Sequence, residues 1–401
     1  MSSADPQGAL HGVRVLDLTR ILAGPLCTMM LGDMGADVIK VEPPGTGDDT
    51  RSWGPPFAEG ESAYYLGVNR NKRSMTLNMA MKSGQEILAG LIRKSDVLVE
   101  NFKVGTLEKW GFGNDWLEKN APRTVRCSIT GYGSTGPKAG LPGYDFILQA
   151  ESGLMGITGE PGGTPMKYGV AIVDICTGML ACNTILAALN ARHATNRGQH
   201  VEVSLFDSGL AMLANVAANH LVSGKDAGRF GNGHPNIVPY TAYPTRDDMI
   251  AVAVGNDAQF GKFSAVLGNP GWAAEARFAK NPDRVVNRDA LDALIKKELQ
   301  REGAETWITK LTAAGIPCGR INSVAQALAA PHAVARGTVT EVEHPVAGNV
   351  KMLGIPFRFS DTPASIRRPP PTLGQHTEAV LRDELGYSDV RIAALRKEKV
   401  I

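Results

Sequence analysis

Short apolar runs alternate with longer stretches of small residues through the first half of the chain. Val13–Leu18 and Asp37–Glu42 are rich in β-branched and leucine residues, a pattern typical of buried strands. Between them, a small-residue stretch through Met34, with Pro25 near its start, predicts a helix. Strand, helix and strand together form a βαβ unit, which implies a parallel sheet because the helix carries the chain back to the first edge.

The same alternation continues and predicts an α/β protein with a Rossmann-like large domain. Further strands are predicted at residues 74–79, 96–100, 126–130, 200–205 and 249–254. Further helices are predicted at residues 84–94, 175–195, 207–221, 260–267, 290–302 and 378–385.

Three segments are expected from this order of elements. The large domain spans residues 1–220, and a smaller α/β domain spans residues 221–325 after the turn-rich G-N-G-H-P-N stretch. Residues 326–401 are rich in proline and poor in strand signals. They are therefore expected to pack back on the large domain rather than to fold alone.

Composition and charge narrow the class of protein. The 401 residues are 43% hydrophobic, and 42 basic side chains nearly balance 40 acidic ones. No strong field then favours nucleic acid or a membrane surface. The five cysteines are widely spread without a C-x-x-C pair, which argues against a disulfide framework and a metal site. The N-terminal residues lack the pattern of a secretory signal, so a cytoplasmic location is expected.

Two polar or glycine-rich segments are candidates for ligand binding. Arg70, Lys72 and Arg73 cluster before a predicted strand, and such cations suit phosphate groups; a solvated loop is the alternative. The loop 129–137 follows a strand and contains Gly131, Gly133 and Gly136 among its residues. Such glycines let a ligand approach backbone N–H groups, although a plain surface turn has the same composition.

Asp174 is the third candidate site. It stands between apolar runs where a helix is expected to begin, so an ordinary N-cap is the alternative role. A helix N-terminus would favour the ionised carboxylate by roughly 0.3–1 kcal/mol. The reference pKa of aspartate, near 3.9, predicts an ionised carboxylate at neutral pH.

A dinucleotide-binding role is a rival interpretation of the first βαβ unit. Its second strand ends in Glu42, an acid, as in such domains. Only Gly24 lies in the turn, however, where a G-x-G-x-x-G pattern needs three glycines. We therefore expect the scaffold without that cofactor.

The segments together resemble CoA-transferase family III, and within it most closely the succinyl-CoA:glutarate CoA-transferases. The motifs that carry the resemblance lie at residues 15–25 (V-L-D-L-T-R-I-L-A-G-P), 35–48, 48–57, 69–74, 99–102 (V-E-N-F), 127–133, 143–145 (G-Y-D), 237–240 and 368–376.

The resemblance implies a mechanism and a set of site residues. Asp174 would attack an acyl-CoA thioester to give a mixed anhydride, then carry CoA as an aspartyl thioester to a second acid. CoA and its thioesters would be substrates, with no cofactor permanently bound. The resemblance places CoA at Leu22, Ala23, Arg70, Lys72, Arg73, Asn101, Phe102, Thr130, Gly131, Tyr132 and Gly133.

The resemblance also implies an interlocked homodimer of ring-shaped chains and a small, dicarboxylic acceptor. Arg20, Arg51, Tyr144 and His234 are the candidates for contacts with that acceptor. The four-glycine loop that covers the aspartate in formyl-CoA transferases has no counterpart here. Residues 231–235 occupy that part of the chain.

Two other functions remain open at this point. An α-methylacyl-CoA racemase needs a proton-transferring histidine, but Tyr144 stands in the matching segment, and a phenol with a pKa near 10 is a poor base. A CoA-binding protein without turnover would gain nothing from Asp174. A serine hydrolase is excluded because no G-x-S-x-G motif occurs.

Overall fold

The computed structural model describes residues 7–401, which form two compact units. The first unit comprises the described residues through Ser152, together with Tyr168–Met212 and Pro331–Ile401. The second comprises Gly153–Lys167 and Leu213–Ala330. The sequence prediction placed the divisions at residues 220 and 325 and did not assign the short excursion to the small domain.

Hydrogen bonds explain why the excursion belongs to the second unit. The Arg229 guanidinium donates to the backbone carbonyls of Gly156 and Gly163. The N–H of Gly231 donates to the carbonyl of Gly159 at 3.0 Å. These partners lie more than sixty residues apart in sequence, so local patterning could not reveal them.

The elements of the first unit follow in chain order. Its strands are β1 (Arg14–Asp17), β2 (Asp37–Glu42), β3 (Phe57–Ala58), β4 (Glu61–Ser62), β5 (Lys72–Thr76), β6 (Val97–Glu100), β7 (Val125–Thr130), β8 (His200–Ser204), β12 (Val339–His344) and β13 (Gly348–Leu353). Its helices are α1 (Ala23–Asp33), α2 (Ala63–Val68), α3 (Lys82–Arg93), α4 (Thr106–Lys109), α5 (Asn114–Asn120), α6 (Asp145–Glu151), α8 (Ile172–Thr195), α9 (Leu205–Ala211), α16 (Pro331–Ala335), α17 (Thr377–Ala379) and α18 (Asp389–Lys397).

A parallel six-stranded sheet organises the first unit. The order is β5-β2-β1-β6-β7-β8, and every neighbouring pair is parallel. Leu16 pairs with Ile39 on one side and with Leu98 on the other, and all three side chains are fully buried. In chain order of these six strands, this is the 3-2-1-4-5-6 arrangement of dinucleotide-binding folds. The predicted Rossmann-like α/β scaffold is confirmed.

The strand after residue 70 begins earlier than predicted. The prediction was 74–79, but β5 covers Lys72–Thr76 and pairs with β2. Lys72 and Arg73 belong to the strand because Asp17 of β1 and Asp37 of the adjacent β2 neutralise them. A charged run that looks like a loop by polarity is therefore part of the sheet.

Helix α8 packs along the sheet beside α1, β7 and β8. It is long and apolar enough to span a membrane by length and composition. Val173, Ala181, Cys182, Ile185 and other residues on one face are buried in the unit. A core helix meets the same criteria of length and composition, so this feature alone does not indicate a membrane protein.

The predicted helix at 207–221 is two helices, α9 and a second one at Ala214–Ser223. Ala214 has a φ of +44°, in the left-handed region that interrupts an α-helix. The break coincides with the change between the two units at residue 212.

The second unit contains a small antiparallel sheet packed against helices. Its elements are α7 (Leu154–Ile157), α10 (Ala214–Ser223), β9 (Tyr240–Pro244), β10 (Met249–Ala253), α11 (Asp257–Val266), α12 (Asn281–Val286), α13 (Arg288–Leu299), α14 (Ala304–Ala313), β11 (Cys318–Arg320) and α15 (Val324–Ala329). The strand order is β11-β10-β9. Phe260, Phe263, Leu291 and Ile295 are fully buried in its core.

The C-terminal segment belongs to the first unit. Asn71 accepts hydrogen bonds from the N–H groups of Arg367 and Arg368, and Leu395 and Val400 are buried in the same core as Leu16. The hairpin of β12 and β13 was not predicted. The last predicted helix is divided into α17 and a π-helical turn, Val380–Glu384.

Candidate active site

A cavity of about 340 Å³ opens at the carboxyl ends of β1, β6 and β7. The strand order reverses between β1 and β6, and open α/β sheets bind ligands at that crevice. The volume lies within the range of small-molecule sites. The cavity is lined by Arg20, Ile21, Leu22, Ala23, Asn101, Phe102, Lys103, Val104, Ile129, Thr130, Gly131, Tyr132, Gly133, Gly140, Leu141, Pro142, Gly143, Tyr144, Asp174 and Leu205.

Two glycine-containing loops of the cavity wall touch each other through their backbones. A Cβ on Gly131 would lie 2.7 Å from the nitrogen of Gly143, and one on Gly143 would lie 2.6 Å from the Cα of Gly131. Side chains at these positions would push the loops apart. The I-T-G-Y-G and G-Y-D motifs therefore depend on one another, and together they close one side of the cavity.

The N–H groups of this wall are only partly free. The Gly133 N–H donates to the hydroxyl of Thr130, and the Ser134 N–H donates to Glu202. Within residues 7–401, the amides of Gly131 and Tyr132 donate to no acceptor. The prediction that the glycine loop presents backbone donors thus holds for part of the loop.

Asp174 lies in the first turn of α8 and lines the cavity. The helix begins at Ile172, two residues earlier in the chain than the acid, and the Asp174 side chain does not cap it. Within the described chain, no donor hydrogen-bonds to its carboxylate oxygens. The alternative role of Asp174 as an N-cap is therefore wrong, and its half-buried carboxyl group is free to react.

Asp145 performs the capping instead. One of its carboxylate oxygens accepts from the N–H of Val173 at 2.8 Å and from that of Asp174 at 3.3 Å. Gln149 donates to the other oxygen at 2.6 Å. Asp145 was predicted only as part of the G-Y-D motif. Its position twenty-eight residues before Val173 gave no local signal for this role.

The ionisation of Asp174 differs from the expectation. Burial and the nearby charge of Asp145 together raise the pKa of Asp174 to about 7. The prediction of an ordinary carboxylate with a pKa near 3.9 was wrong, because burial disfavours the charged form and Asp145 adds a like charge. At neutral pH a substantial fraction of Asp174 is protonated.

The charges of Asp174 and Asp145 also affect the ionisation of Tyr64. Burial, with the carboxylates of Asp174 and Asp145, raises the pKa of the Tyr64 phenol to about 12. Its ring packs edge-on against Trp53, with centroids 5.1 Å apart. Tyr64 therefore stays a neutral phenol at neutral pH, although it does not line the cavity. Tyr64 was not predicted, since a tyrosine in an apolar segment has the pattern of a core residue.

The cations at residues 70–73 do not lie at the cavity, which corrects the predicted phosphate role. Arg70 donates two hydrogen bonds to Asp33, at 2.9 and 2.6 Å. Lys72 is fully buried and donates to Asp17 at 3.1 Å. Arg73 binds Asp37 and Glu384. These side chains stabilise the sheet edge and the C-terminal segment, and their donors are already occupied.

Of the four candidates for acceptor contacts, Arg20 and Tyr144 line the cavity. Arg20 makes a loose ion pair with Asp49 at 3.4 Å, and Tyr144 is 64% exposed. Arg51 instead binds Glu42 bidentately and donates to the hydroxyl of Tyr65, so it is a structural residue. His234 lies in the second unit, where its ring packs near Tyr240.

Lys103 is a cavity residue that the sequence analysis missed. It follows Asn101 and Phe102, and its side chain is exposed. Within residues 7–401, it forms no ion pair, whereas Lys138 near the same wall is paired with Glu151. Lys103 is thus an available cation beside the predicted CoA residues. Its place directly after the V-E-N-F motif was the only signal for it.

No group of three or more His, Cys, Asp or Glu side chains is placed to hold a metal ion in the part of the chain that the structure describes. The polar groups at the cavity include one carboxyl, of Asp174, and two exposed cations, Arg20 and Lys103. Backbone amides and the polar side chains of Asn101, Thr130, Tyr132 and Tyr144 also line it. Such a set is suited to a nucleophilic acid acting on a polarised carbonyl.

Residues 10–377 match the model of CoA-transferase family III. The chain belongs to this family, and the protein is an enzyme of the CoA-transferase class. The alternative of a CoA-binding protein without turnover is thereby set aside.

Three relatives illustrate the match. A succinyl-CoA:glutarate CoA-transferase of Homo sapiens is 43% identical over 392 residues, covering 98% of this chain and 90% of the relative. A succinate–glutarate CoA-transferase of Agrobacterium fabrum is 43% identical over 380 residues, covering 93% and 95%. The crystal structure of a CAIB/BAIF family protein from Brucella suis has a TM-score of 0.82 at 43% identity, covering 94% of this chain and all of that one.

Proposed function

We propose that this enzyme transfers CoA from succinyl-CoA to a small dicarboxylic acid such as glutarate, with Asp174 as the covalent carrier. The observation that carries the proposal is the uncapped carboxyl of Asp174 at the cavity formed by the strand ends. The relatives named above support the substrate class, since they act on succinyl-CoA or succinate and glutarate.

In the proposed reaction, a carboxylate oxygen of Asp174 bonds to the thioester carbon, and the carbonyl electron pair moves to its oxygen. Collapse of this intermediate expels CoA thiolate and leaves an aspartyl anhydride. The thiolate then attacks the Asp174 carbonyl, which releases the first acid and forms an aspartyl-CoA thioester. The acceptor acid takes CoA by the same steps in reverse, so bonds and charges balance.

The raised pKa of Asp174 sets the fraction of the carboxyl group that is ionised at a given pH. Only the ionised carboxylate is nucleophilic, so the rate of acylation should rise as the pH increases through about 7. A half-buried carboxylate is also less solvated than one in water, and such desolvation favours attack on an uncharged carbonyl.

CoA is proposed to lie along the cavity wall at Leu22, Ala23, Asn101, Phe102, Thr130 and the 131–133 loop. Lys103, rather than the predicted cations at residues 70–73, is then the cation available to a phosphate group of CoA. Arg20 is the cation available to the distal carboxylate of the acceptor, because its ion pair with Asp49 is long and exposed.

A second copy of this chain is proposed as the partner. In the first unit, Phe146, Ile147, Met179 and Leu180 are 55%, 44%, 47% and 40% exposed. In the second unit, Leu221 and Val222 are 81% and 90% exposed. Large apolar side chains grouped on a surface typically mark an interaction site. Light scattering of the purified enzyme would test this, and a monomer at micromolar concentration would contradict it.

The decisive experiment combines a substrate panel with trapping. Purified enzyme is incubated with succinyl-CoA and a series of mono- and dicarboxylic acids, and the CoA products are identified by mass. In parallel, enzyme treated with acyl-CoA and then hydroxylamine is digested, and the Asp174 peptide should carry a hydroxamate. Modification of a different peptide, or none, would contradict the role of Asp174.

A carboxyl with a pKa of about 7 could also exchange protons. The racemase alternative therefore has its own readout in deuterium wash-in at the α-carbon of the acyl group. We expect none, because a second acid or base is missing where Tyr144 stands.

A further inference from the structure

The turn between β1 and α1 contains a strained residue, Ile21. Its φ is +73°, in the left-handed region, which a β-branched side chain rarely adopts because its Cβ crowds the backbone carbonyl. Such a conformation persists only where surrounding contacts hold it, and it occurs mainly at functional sites. Ile21 lines the cavity, immediately before Leu22 and Ala23.

A buried ion pair lies beneath this turn and holds both of its ends. Asp48 accepts a hydrogen bond from the N–H of Ile21 at 3.2 Å and from the Lys40 ammonium at 2.9 Å. The same ammonium donates to the backbone carbonyl of Thr19 at 2.8 Å. Both charged side chains are fully buried. Although burial favours the neutral acid, the charge of Lys40 lowers the pKa of Asp48 to about 2.

The turn leads directly into the backbone of Leu22 and Ala23, which line the same cavity as Asp174. Within residues 7–401, the N–H groups of Leu22 and Ala23 donate to no acceptor, and Leu22 has no capping side chain. The backbone of Ala23 lies against α8, since a Cβ on Gly178 would lie 2.5 Å from its carbonyl oxygen. Gly178 is one helical turn beyond Asp174. A shift of the turn would therefore move these donors relative to the nucleophile.

We propose that Asp48, with Lys40, is a positioning residue for the transfer reaction. It holds Ile21 in the left-handed conformation and thereby keeps the Leu22 and Ala23 amides aimed at the oxyanion that forms beside Asp174. Neither side chain lines the cavity, so both act through the backbone of the turn. The proposal rests on the covalent role of Asp174 proposed above.

The test is a set of variants at the ion pair. In Asp48→Asn, the Ile21 N–H keeps only a neutral amide oxygen as its acceptor, and the Lys40 ammonium loses its charged partner. We therefore expect kcat for CoA exchange to fall about 10- to 100-fold. The KM for succinyl-CoA should change about threefold or less, because the amides act mainly on the transition state. Adding Ile21→Gly should restore part of the lost kcat, because glycine adopts a φ of +73° without strain.

Controls separate this role from a general loss of structure. Thr50→Val removes another hydrogen bond to the same Asp48 oxygen, of 2.8 Å, but leaves the turn contact intact, so kcat should stay near that of the wild type. If Asp48→Asn does not fold, Asp48→Asn with Lys40→Met avoids an unpaired buried charge and should show the same pattern.

Two outcomes would overturn the inference: a wild-type kcat in the ion-pair variants, or a loss of kcat that Ile21→Gly does not relieve at all. Trapping keeps the two proposals distinct. If the wild type forms no hydroxamate at Asp174, the proposed function fails. If the wild type is trapped and the Asp48 variant is trapped equally fast, only the positioning role fails.

Discussion

Helices α1 and α8 present their N-termini to the same cavity, and their first turns are constructed in opposite ways. In α8 the first turn carries Asp174, and its amides are occupied by Asp145. In α1 the first turn carries no acid, and the amides of Leu22 and Ala23 have no acceptor among the described residues.

The difference shows how one backbone feature can serve two purposes. A helix N-terminus attracts an anion through its unpaired N–H groups. Where a fixed carboxylate such as Asp145 already satisfies them, a second acid gains little and its pKa rises. Where they stay unpaired, they can donate to charge that develops on a substrate. One helix thus supplies the nucleophile and the other is proposed to supply donors.

Removing the nucleophile should have the largest effect. Asp174→Asn should lower CoA exchange by on the order of 10³-fold or more, while CoA binding, measured by calorimetry, stays within about threefold. Asp115→Asn, an exposed acid in α5, is the matched control. Exchange within about tenfold of the wild type in pure variant would remove Asp174 from its role.

Asp174→Asn should also be more stable than the wild type at alkaline pH. The pKa of Asp174 is raised to about 7 by folding, so the folded state binds the proton more tightly than the unfolded chain. Stability from this group is therefore present at low pH and lost as the pH rises from about 4 to about 7. The gain in Tm of Asp174→Asn over wild type should be larger at about pH 8 than at about pH 5. An equal gain at both values would contradict the raised pKa.

Moving α1 away from α8 should have the next largest effect on stability and on kcat. A Cβ on Gly178 would meet the Ala23 carbonyl oxygen at 2.5 Å, so Gly178→Ala must push α1 away from α8. We expect a loss of stability of about 1–3 kcal/mol and a kcat reduced about tenfold or more. Gly261→Ala in α11 is the control, because its nearest neighbour lies at 3.9 Å. Denaturant unfolding measures the stability, and initial rates measure kcat. A Gly178→Ala variant that matches the Gly261→Ala control in both would argue against close coupling of the first turns of α1 and α8.

Removing the charge of the capping residue Asp145 should change the pH dependence of the exchange rate more than the maximal rate. Asp145→Asn keeps an oxygen for the Val173 amide but removes the like charge, so the pKa of Asp174 should fall. The midpoint of the pH–rate profile should move to lower pH, and the rate at about pH 6 should rise about threefold relative to that at about pH 8. Gln149→Ala removes the hydrogen bond to the other oxygen without removing charge, and its midpoint should stay in place.

The smallest effect on catalysis is expected from Lys103, at the margin of the cavity. Lys103→Ala should raise the KM for succinyl-CoA about three- to tenfold with little change in kcat, because an exposed cation adds binding energy equally to ground and transition states. The change should shrink at high salt, which screens exposed charges. Lys82→Ala, an exposed lysine at the start of α3, serves as the control. An unchanged KM would place the CoA phosphates elsewhere.

Periodicity predicted much of the scaffold. The βαβ unit, the parallel sheet and the long helix containing Asp174 follow from local spacing of apolar residues, and β2 has the predicted bounds. The loop after β7 was predicted as a ligand site because ligands bind at the carboxyl ends of such strands. The cavity-lining motifs after β1 and β6 were predicted from the resemblance to CoA-transferase family III. The break at Ala214 and the β12–β13 hairpin were missed, since neither has a strong pattern of its own.

The amino-acid sequence alone determined the order of elements and the motifs that meet at the cavity, because both depend on neighbours a few residues apart. Only the tertiary structure decided which charges are available. Arg70 is neutralised by Asp33 and Lys72 by Asp17, whereas Lys103 stays unpaired within residues 7–401. The raised pKa of Asp174 likewise comes from burial and from Asp145. Desolvation and ion pairing depend on contacts between distant parts of the chain, which no local pattern encodes.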